Sequence, residues 1–221
     1  MLKSKFTRPA LIHLLGLPGS GKTYTSRQLS EMLGIAHVSS DRIRDFLFNT
    51  PTFSREEQQI VLQMMLMMTE EYLKLGLPVI FDISLNRANE RRIIRELAKK
   101  YDAAPLLLWL QIDQNTAKVR AATKDKRRAE DKYTAPIGSE LFDSIAATLQ
   151  TPQNEDYLVV SGKHNFETQK ASIIRKLREL GLIDDETMRP HVTKPELMNL
   201  AAQAHANAGR VDMSRRNITI R

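Results

Sequence analysis

Cysteine is absent from the 221-residue chain. Its absence excludes disulfides, thiolate zinc sites and a cysteine nucleophile, so packing must supply stability and any metal must sit on oxygen or imidazole. A cytoplasmic location fits that composition best. No apolar run is long enough to span a bilayer, so no membrane partner is expected. The charged stretch Lys3 to Arg8 leads into a short apolar run ending at a glycine loop, unlike a signal peptide. Aromatic residues are 6% of the chain, and no basic strand interleaved with aromatics offers nucleic-acid bases a stacking surface. His13, His37, His164, His191 and His205 show no metal-ligand spacing with another candidate ligand and receive no role. Internal repeats and low-complexity segments are lacking as well.

Basic residues are in excess. The formal charge is +7 and the pI about 9.7, which suits an anionic partner such as a nucleotide, a nucleic acid or a phosphorylated metabolite. Hydrophobic residues make up 42%, ample for one substantial core. The expected organisation is one domain over residues 1–182 and a C-terminal extension over 183–221.

Along the chain, strands and helices alternate. Ala10 to Leu15 reads as a buried parallel strand, and Gly21 to Leu33 as a helix closed by Gly34. A strand over Ala36 to Val38 ends at Ser39-Ser40-Asp41, an N-cap for a helix with Ile43, Phe46 and Leu47 at helical spacing, closed by Pro51. Ser54 and Glu57 form a capping box that opens a long helix through Ile60, Val61, Met64, Met65, Met68, Tyr72 and Leu73 to Gly76. The cluster Met64, Met65, Met67 and Met68 favours core packing over a substrate surface. Further strands are expected over Leu77 to Phe81, Pro105 to Gln111 and Tyr157 to Val160. Helices are expected over Ala88 to Tyr101, Thr116 to Thr123, Ser139 to Leu149, Phe166 to Leu180 and, in the extension, Pro195 to Ala208. Such alternation implies a parallel sheet with helices on both faces, because parallel strands need crossover connections.

One motif carries specific chemistry. Gly16-Leu-Pro-Gly-Ser-Gly-Lys22-Thr23 fits glycine, four residues, then Gly-Lys-Ser/Thr, between a predicted strand and a predicted helix. Gly16, Gly19, Ser20 and Gly21 let successive backbone N–H groups turn toward phosphate oxygens, aided by the helix dipole. Lys22 adds a point charge for the β and γ phosphates, and the Thr23 hydroxyl can ligate magnesium. ATP and Mg2+ are the expected ligands.

With that loop, Asp41-Arg-Ile-Arg44 after the second strand and Phe81-Asp82-Ile-Ser-Leu-Asn86 after the third, the chain from Ala10 to Leu182 resembles the P-loop kinases similar to polynucleotide 5′-kinase and zeta-type toxins. The resemblance implies an α/β P-loop NTPase fold of the nucleoside-kinase-like type: a three-layer sandwich on a mostly parallel five-stranded sheet, with a lid, followed here by a short helical tail. It also implies that Asp41 is the general base; a helix N-cap is the structural alternative. Arg44, one turn on, could hold a substrate phosphate or lie solvated on the helix. Asp82 would orient magnesium or its waters, with Ser84 as an acceptor contact. The resembled kinases often carry Thr-Asn after this aspartate, whereas Ile83 and Ser84 stand here.

Arg120 occupies the place of a lid cation in that family, with Lys124, Arg127 or Arg128 as the second. A solvated charge run is the alternative, given Glu130 and Asp131. A GTPase is disfavoured because neither an Asn/Thr-Lys-x-Asp motif nor a glycine three positions after Asp82 is present. The expected activity is transfer of the ATP γ-phosphate to a hydroxyl acceptor, nucleic acid or nucleotide among the candidates. The competing expectation is a nucleotide-gated protein whose basic lid engages RNA or protein.

Overall fold

The computed structural model describes residues 6–123 and 133–184. β1 (Ala10–Leu15) is buried along its whole length, as its unbroken apolar run requires. It enters the glycine loop and then α1 (Lys22–Leu33), which ends at Gly34 in the left-handed conformation with φ 65°. β2 (Ala36–Ser39), α2 (Ser40–Leu47), α3 (Arg55–Lys74) and β3 (Val79–Asp82) follow. After them come α4 (Ala88–Lys100), β4 (Ala104–Gln111), α5 (Gln114–Ala122), α6 (Ser139–Ala147), β5 (Tyr157–Ser161) and α7 (Phe166–Glu179).

The five strands pair in the order β2-β3-β1-β4-β5, every pair parallel. One core layer joins Val61, Met65 and Leu73 of α3 to Ile94 and Ala98 of α4 over Leu11, Val79 and Phe81. On the other face α1 meets α7, where Thr25 Oγ1 donates to Gln169 Oε1 across 2.9 Å in a buried contact. Phe6 bridges to Ile183, so the two ends of the described chain close beside each other.

Several expectations are corrected. Phe46 is 88% exposed and Leu47 38%, although their spacing points them inward. Arg44 turns in instead, because it has a buried carboxylate partner in α3. Ile60 is exposed too; the buried stripe of α3 is Glu57, Val61, Met65, Thr69 and Leu73, a strict four-residue repeat. Met65 is fully buried and Met68 packs half-buried against the same core, whereas Met67 is exposed. Ser54 Oγ accepts from Glu57 N at 3.2 Å as the capping box requires, but the Glu57 carboxylate bonds Thr52 and Phe53 rather than Ser54. The third strand begins at Val79, since Leu77 lies exposed in the turn after Gly76. The expected lid cations Lys124, Arg127 and Arg128 and the tail helix over Pro195 to Ala208 lie outside the described residues.

Candidate active site: a phosphate loop beside two carboxylates

The loop leaves the C-terminal end of β1 with Gly16, Gly19 and Gly21 at φ 153°, 78° and 98°. Any other residue would be strained there. Space is as decisive as conformation. A Cβ on Gly19 would stand 2.2 Å from the Ala117 carbonyl of α5, and one on Gly16 would stand 2.6 Å from the Leu110 carbonyl of β4. The loop is therefore clamped between β4 and α5. Ser20 is fully buried within it, and its Oγ finds no hydrogen-bond partner among the described residues. Lys22, the first residue of α1, folds over the loop and donates to the carbonyls of Gly16 at 2.9 Å and Leu17 at 3.0 Å. Thr23 follows, half-buried, in the first turn.

Gly162, just past β5, closes the far side. A Cβ there would lie 2.7 Å from the Ser20 carbonyl, and its own carbonyl accepts from Arg120 Nη1 at 2.8 Å. Arg120 is thus held beside the loop in the last turn of α5. That helix is capped by Asp113, which accepts from Thr116 N at 2.9 Å. The Asp113 carboxyl sits well below the usual carboxylate range, chiefly because of Lys163, 2.8 Å away, and then through Thr116.

Because all strands are parallel, the ends of β2 and β3 open on the same edge as the loop. Asp82, the last residue of β3, is buried and aligned with Ser39 at the end of β2. Its Oδ2 lies 3.0 Å from His37 Nε2. Ser84 lies two residues further, exposed. Ser39, not Asp41, occupies the N-cap of α2, so Asp41 stands in the first turn and is not consumed as a cap.

Asp41 is tied to a second layer. Its Oδ1 accepts from Arg44 Nη1 at 3.3 Å, and Arg44 Nε donates to Glu57 Oε1 at 2.7 Å. The Glu57 Oε2 accepts from Thr52 N at 2.7 Å, Thr52 Oγ1 at 3.0 Å and Phe53 N at 3.0 Å. Burial of Glu57 opposes its ionisation, but these bonds from Thr52, Phe53 and Arg44 outweigh it and keep the carboxyl below its ordinary value. Phe53 sits at φ 57°, a conformation a bulky residue rarely adopts; Glu57 holds its N–H and the Arg44 guanidinium covers its ring at 4.7 Å. Arg44 Nε and Nη1 are thus engaged by Glu57 and Asp41.

Sequence reasoning missed three contributors. His37 received no role, because its contact with Asp82 crosses from one strand to the next. Glu57 was read as a cap alone. Gly162 went unremarked, although a glycine directly after a parallel strand at the loop edge is a signal for close backbone approach.

The glycine cradle that a Cβ would fill, a lysine on its rim, and the oxygen donors of Thr23 and Asp82 match a phosphate chain with a hard, oxygen-seeking cation.

The strand order and the loop together define a P-loop NTPase of the kinase-like type. More narrowly, a family profile described as AAA domain matches residues 11–152, and the chain belongs to that family. It is 26% identical over 159 residues to the signal recognition particle 54 kDa protein of Pyrobaculum calidifontis, a match covering 65% of this chain and 36% of that one. The chain thus spans about a third of the length of that curated relative. Among solved structures, a gluconokinase from Sinorhizobium meliloti superposes with TM-score 0.55 at 20% identity, over 78% of this chain and 93% of its own. The Mycobacterium tuberculosis APS kinase CysC, in complex with AMPPNP and APS, gives TM-score 0.55 at 18% identity, covering 77% and 98%. Chaetomium thermophilum Kti12 with ADP-AlF3 gives 0.59 at 16% identity, covering 76% and 97%. At such identities the likeness is one of fold. Among the described residues no helix is long and apolar enough to cross a membrane.

Proposed function

We propose that the chain is an ATP-dependent phosphotransferase acting on a hydroxyl acceptor, within the group that includes polynucleotide 5′-kinase and zeta-type toxins. The observation that carries this reading is the position of Asp41: at the strand edge shared with the phosphate loop, outside the helix cap, and steered by Arg44. A carboxylate so held can accept the proton of an attacking hydroxyl. In the step, the acceptor oxygen bonds the γ-phosphorus, the bridge between γ-phosphorus and β-phosphate breaks, and ADP leaves with the electron pair.

The other residues divide the remaining work. The backbone of Gly16, Gly19, Ser20 and Gly21 cradles the phosphates, and Lys22 exchanges its carbonyl contacts for phosphate oxygens. Thr23, with Asp82 oriented by His37, would hold magnesium, whose charge offsets that of the β and γ phosphates. Arg120 supplies a cation at the loop, and Ser84 faces the acceptor side. Arg44 serves first to aim Asp41, with an acceptor phosphate as a further partner. The structurally similar proteins include a gluconokinase and an APS kinase, which is consistent with a small-molecule acceptor.

Asp41→Asn tests the reading. Nucleotide affinity by calorimetry should stay within about twofold, because no phosphate contact is lost, while transfer falls by about 10²- to 10⁴-fold, the worth of a general base. Unchanged transfer in that variant would sink the assignment of Asp41 as the base, whereas tight nucleotide binding without transfer to any acceptor in the wild type would favour a nucleotide-gated binding protein.

A further inference from the structure

Gln169 of α7 is a polar side chain buried beside the phosphate loop that the chemistry above does not use. Asn165 caps that helix by accepting from Thr168 N at 3.1 Å, which sets Gln169 in the first turn, 5% exposed. Both ends of its amide are engaged. Oε1 accepts from Thr25 Oγ1 at 2.9 Å, and Nε2 donates to the carbonyls of Ser161 at 2.9 Å and His164 at 3.2 Å. A primary amide offers two N–H donors and a carbonyl acceptor on one planar group, and burial is tolerated because each donor has its partner.

The two carbonyls bracket the connection Ser161-Gly162-Lys163-His164, which carries the chain from β5 to the cap of α7. Gly162, inside the bracket, is constrained three times. Its N–H extends the sheet to the Gln111 carbonyl at 2.8 Å, a Cβ on it would stand 2.7 Å from the Ser20 carbonyl, and its own carbonyl accepts from Arg120 Nη1 at 2.8 Å. At the other end of the brace Thr25 is fully buried in α1, and its neighbour Tyr24 meets Phe166 of α7 edge-on, ring centroids 6.4 Å apart. Gln169 therefore fastens the connection to the helix that begins at Lys22. Arg120 is exposed in the last turn of α5, and a long side chain at the surface has many rotamers of similar energy. The Gly162 carbonyl selects among them.

We propose that Gln169 is a positioning residue for phosphoryl transfer: it fixes the Gly162 carbonyl, and that carbonyl sets where the Arg120 guanidinium stands beside the phosphate loop. The inference rests on the reading of Arg120 as a cation for the transferring phosphoryl group. Transfer of this kind depends on charges already in place when the transition state forms. An Arg120 released from Gly162 keeps its charge and loses its place, so transfer slows. The cradle survives, because Gly16 and Gly19 are clamped by the Leu110 and Ala117 carbonyls and not by Gln169.

Gln169→Glu tests this on the full chain, since it keeps an acceptor for Thr25 and turns the donor end into an oxygen that repels the two carbonyls. Gln169→Met, of similar volume and uncharged, keeps the test open should the buried carboxylate not be tolerated. The first readout is independent of activity. With labelled arginine, NMR follows rotation of the Arg120 guanidinium about its Nε–Cζ bond, assigned with Arg120→Met. Rotation should be slow in the wild type and about tenfold faster in either Gln169 variant, the worth of one charge-assisted bond; unaltered rotation would overturn the proposal. The second readout is a double-mutant cycle on transfer. Each Gln169 variant should lower kcat about tenfold with ADP affinity within about twofold, and in the Arg120→Met background the same change should lower kcat by less than about twofold. An equal loss in both backgrounds, or a loss of ADP affinity as large as that of kcat, would overturn the proposal by making Gln169 a support of the whole loop. Absence of transfer in the wild type would count against the phosphotransferase reading, and the rotation of Arg120 would still decide whether Gln169 holds it.

Discussion

Gly19 shows how little freedom one residue has at the loop. Alanine there meets both an unfavourable φ of 78° and the Ala117 carbonyl at 2.2 Å, and that carbonyl is helix backbone that cannot yield. Gly19→Ala should therefore cost about 1–3 kcal/mol in urea denaturation and abolish nucleotide binding by calorimetry. Full affinity in that variant would contradict a rigid cradle. His13 gives a prediction in pH. Its folded pKa is lowered from 6.5 to about 3, so the unfolded chain takes up a proton that the folded chain refuses. The stability that His13 contributes is present above pH 6.5 and is lost as pH falls toward 3, at no more than about 1.4 kcal/mol per pH unit. Burial is the larger cause of the lowering, then Arg91 and Arg95; Arg91, Arg95, Glu155 and Asp156 line the same cavity as the ring. Denaturation of wild type and His13→Gln between pH 7 and 5, above the carboxylate range, should show a shallower slope in the variant. Parallel slopes would mean that His13 is not held neutral.

At the scale of elements, α3 and α2 divide the legible from the illegible. Sequence spacing marked Val61, Met65 and Leu73 of the α3 stripe but also Ile60, which is exposed, and it could not mark the polar Glu57 and Thr69 as buried. Met65→Ala should cost about 2–5 kcal/mol, as for a fully buried side chain, whereas Met67→Ala at the exposed position should stay within about 0.5 kcal/mol. Equal losses would mean that the stripe is misplaced. In α2 the same reasoning failed, because periodicity counts apolar residues and cannot foresee that Arg44 has Glu57, thirteen residues on, as its partner. An ion pair with its hydrogen bonds satisfied outranks two phenylalanine and leucine faces that water can accommodate singly. Glu57→Gln keeps the shape and removes the charge that positions Arg44. Transfer should fall with nucleotide affinity unchanged, and by less than in Asp41→Asn, since the carboxylate of Asp41 remains. A loss of nucleotide affinity instead would place Glu57 in general stability rather than in aiming Asp41.

For the whole molecule, the sequence revealed the strand-helix alternation and the phosphate loop because both are local: one is periodicity, the other a backbone demand met by neighbouring residues. The strand order β2-β3-β1-β4-β5 and the contacts it creates, His37 with Asp82 and Gly162 with Ser20, join residues far apart and were not visible beforehand. That parallel order brings the loop, Asp41 and Asp82 to one edge, and the proposed activity rests on it. The acceptor is a separate matter, since one fold hosts many. The most direct measurement follows the γ-phosphate itself. ATP with a labelled γ-phosphate and magnesium is incubated with the wild-type chain and a panel of sugars, nucleosides and 5′-hydroxyl oligonucleotides, and the products are read by mass and phosphorus NMR. The account predicts label in a phosphate monoester of one acceptor class, formed only when that acceptor is present. Label released solely as inorganic phosphate at a rate indifferent to every acceptor would contradict it.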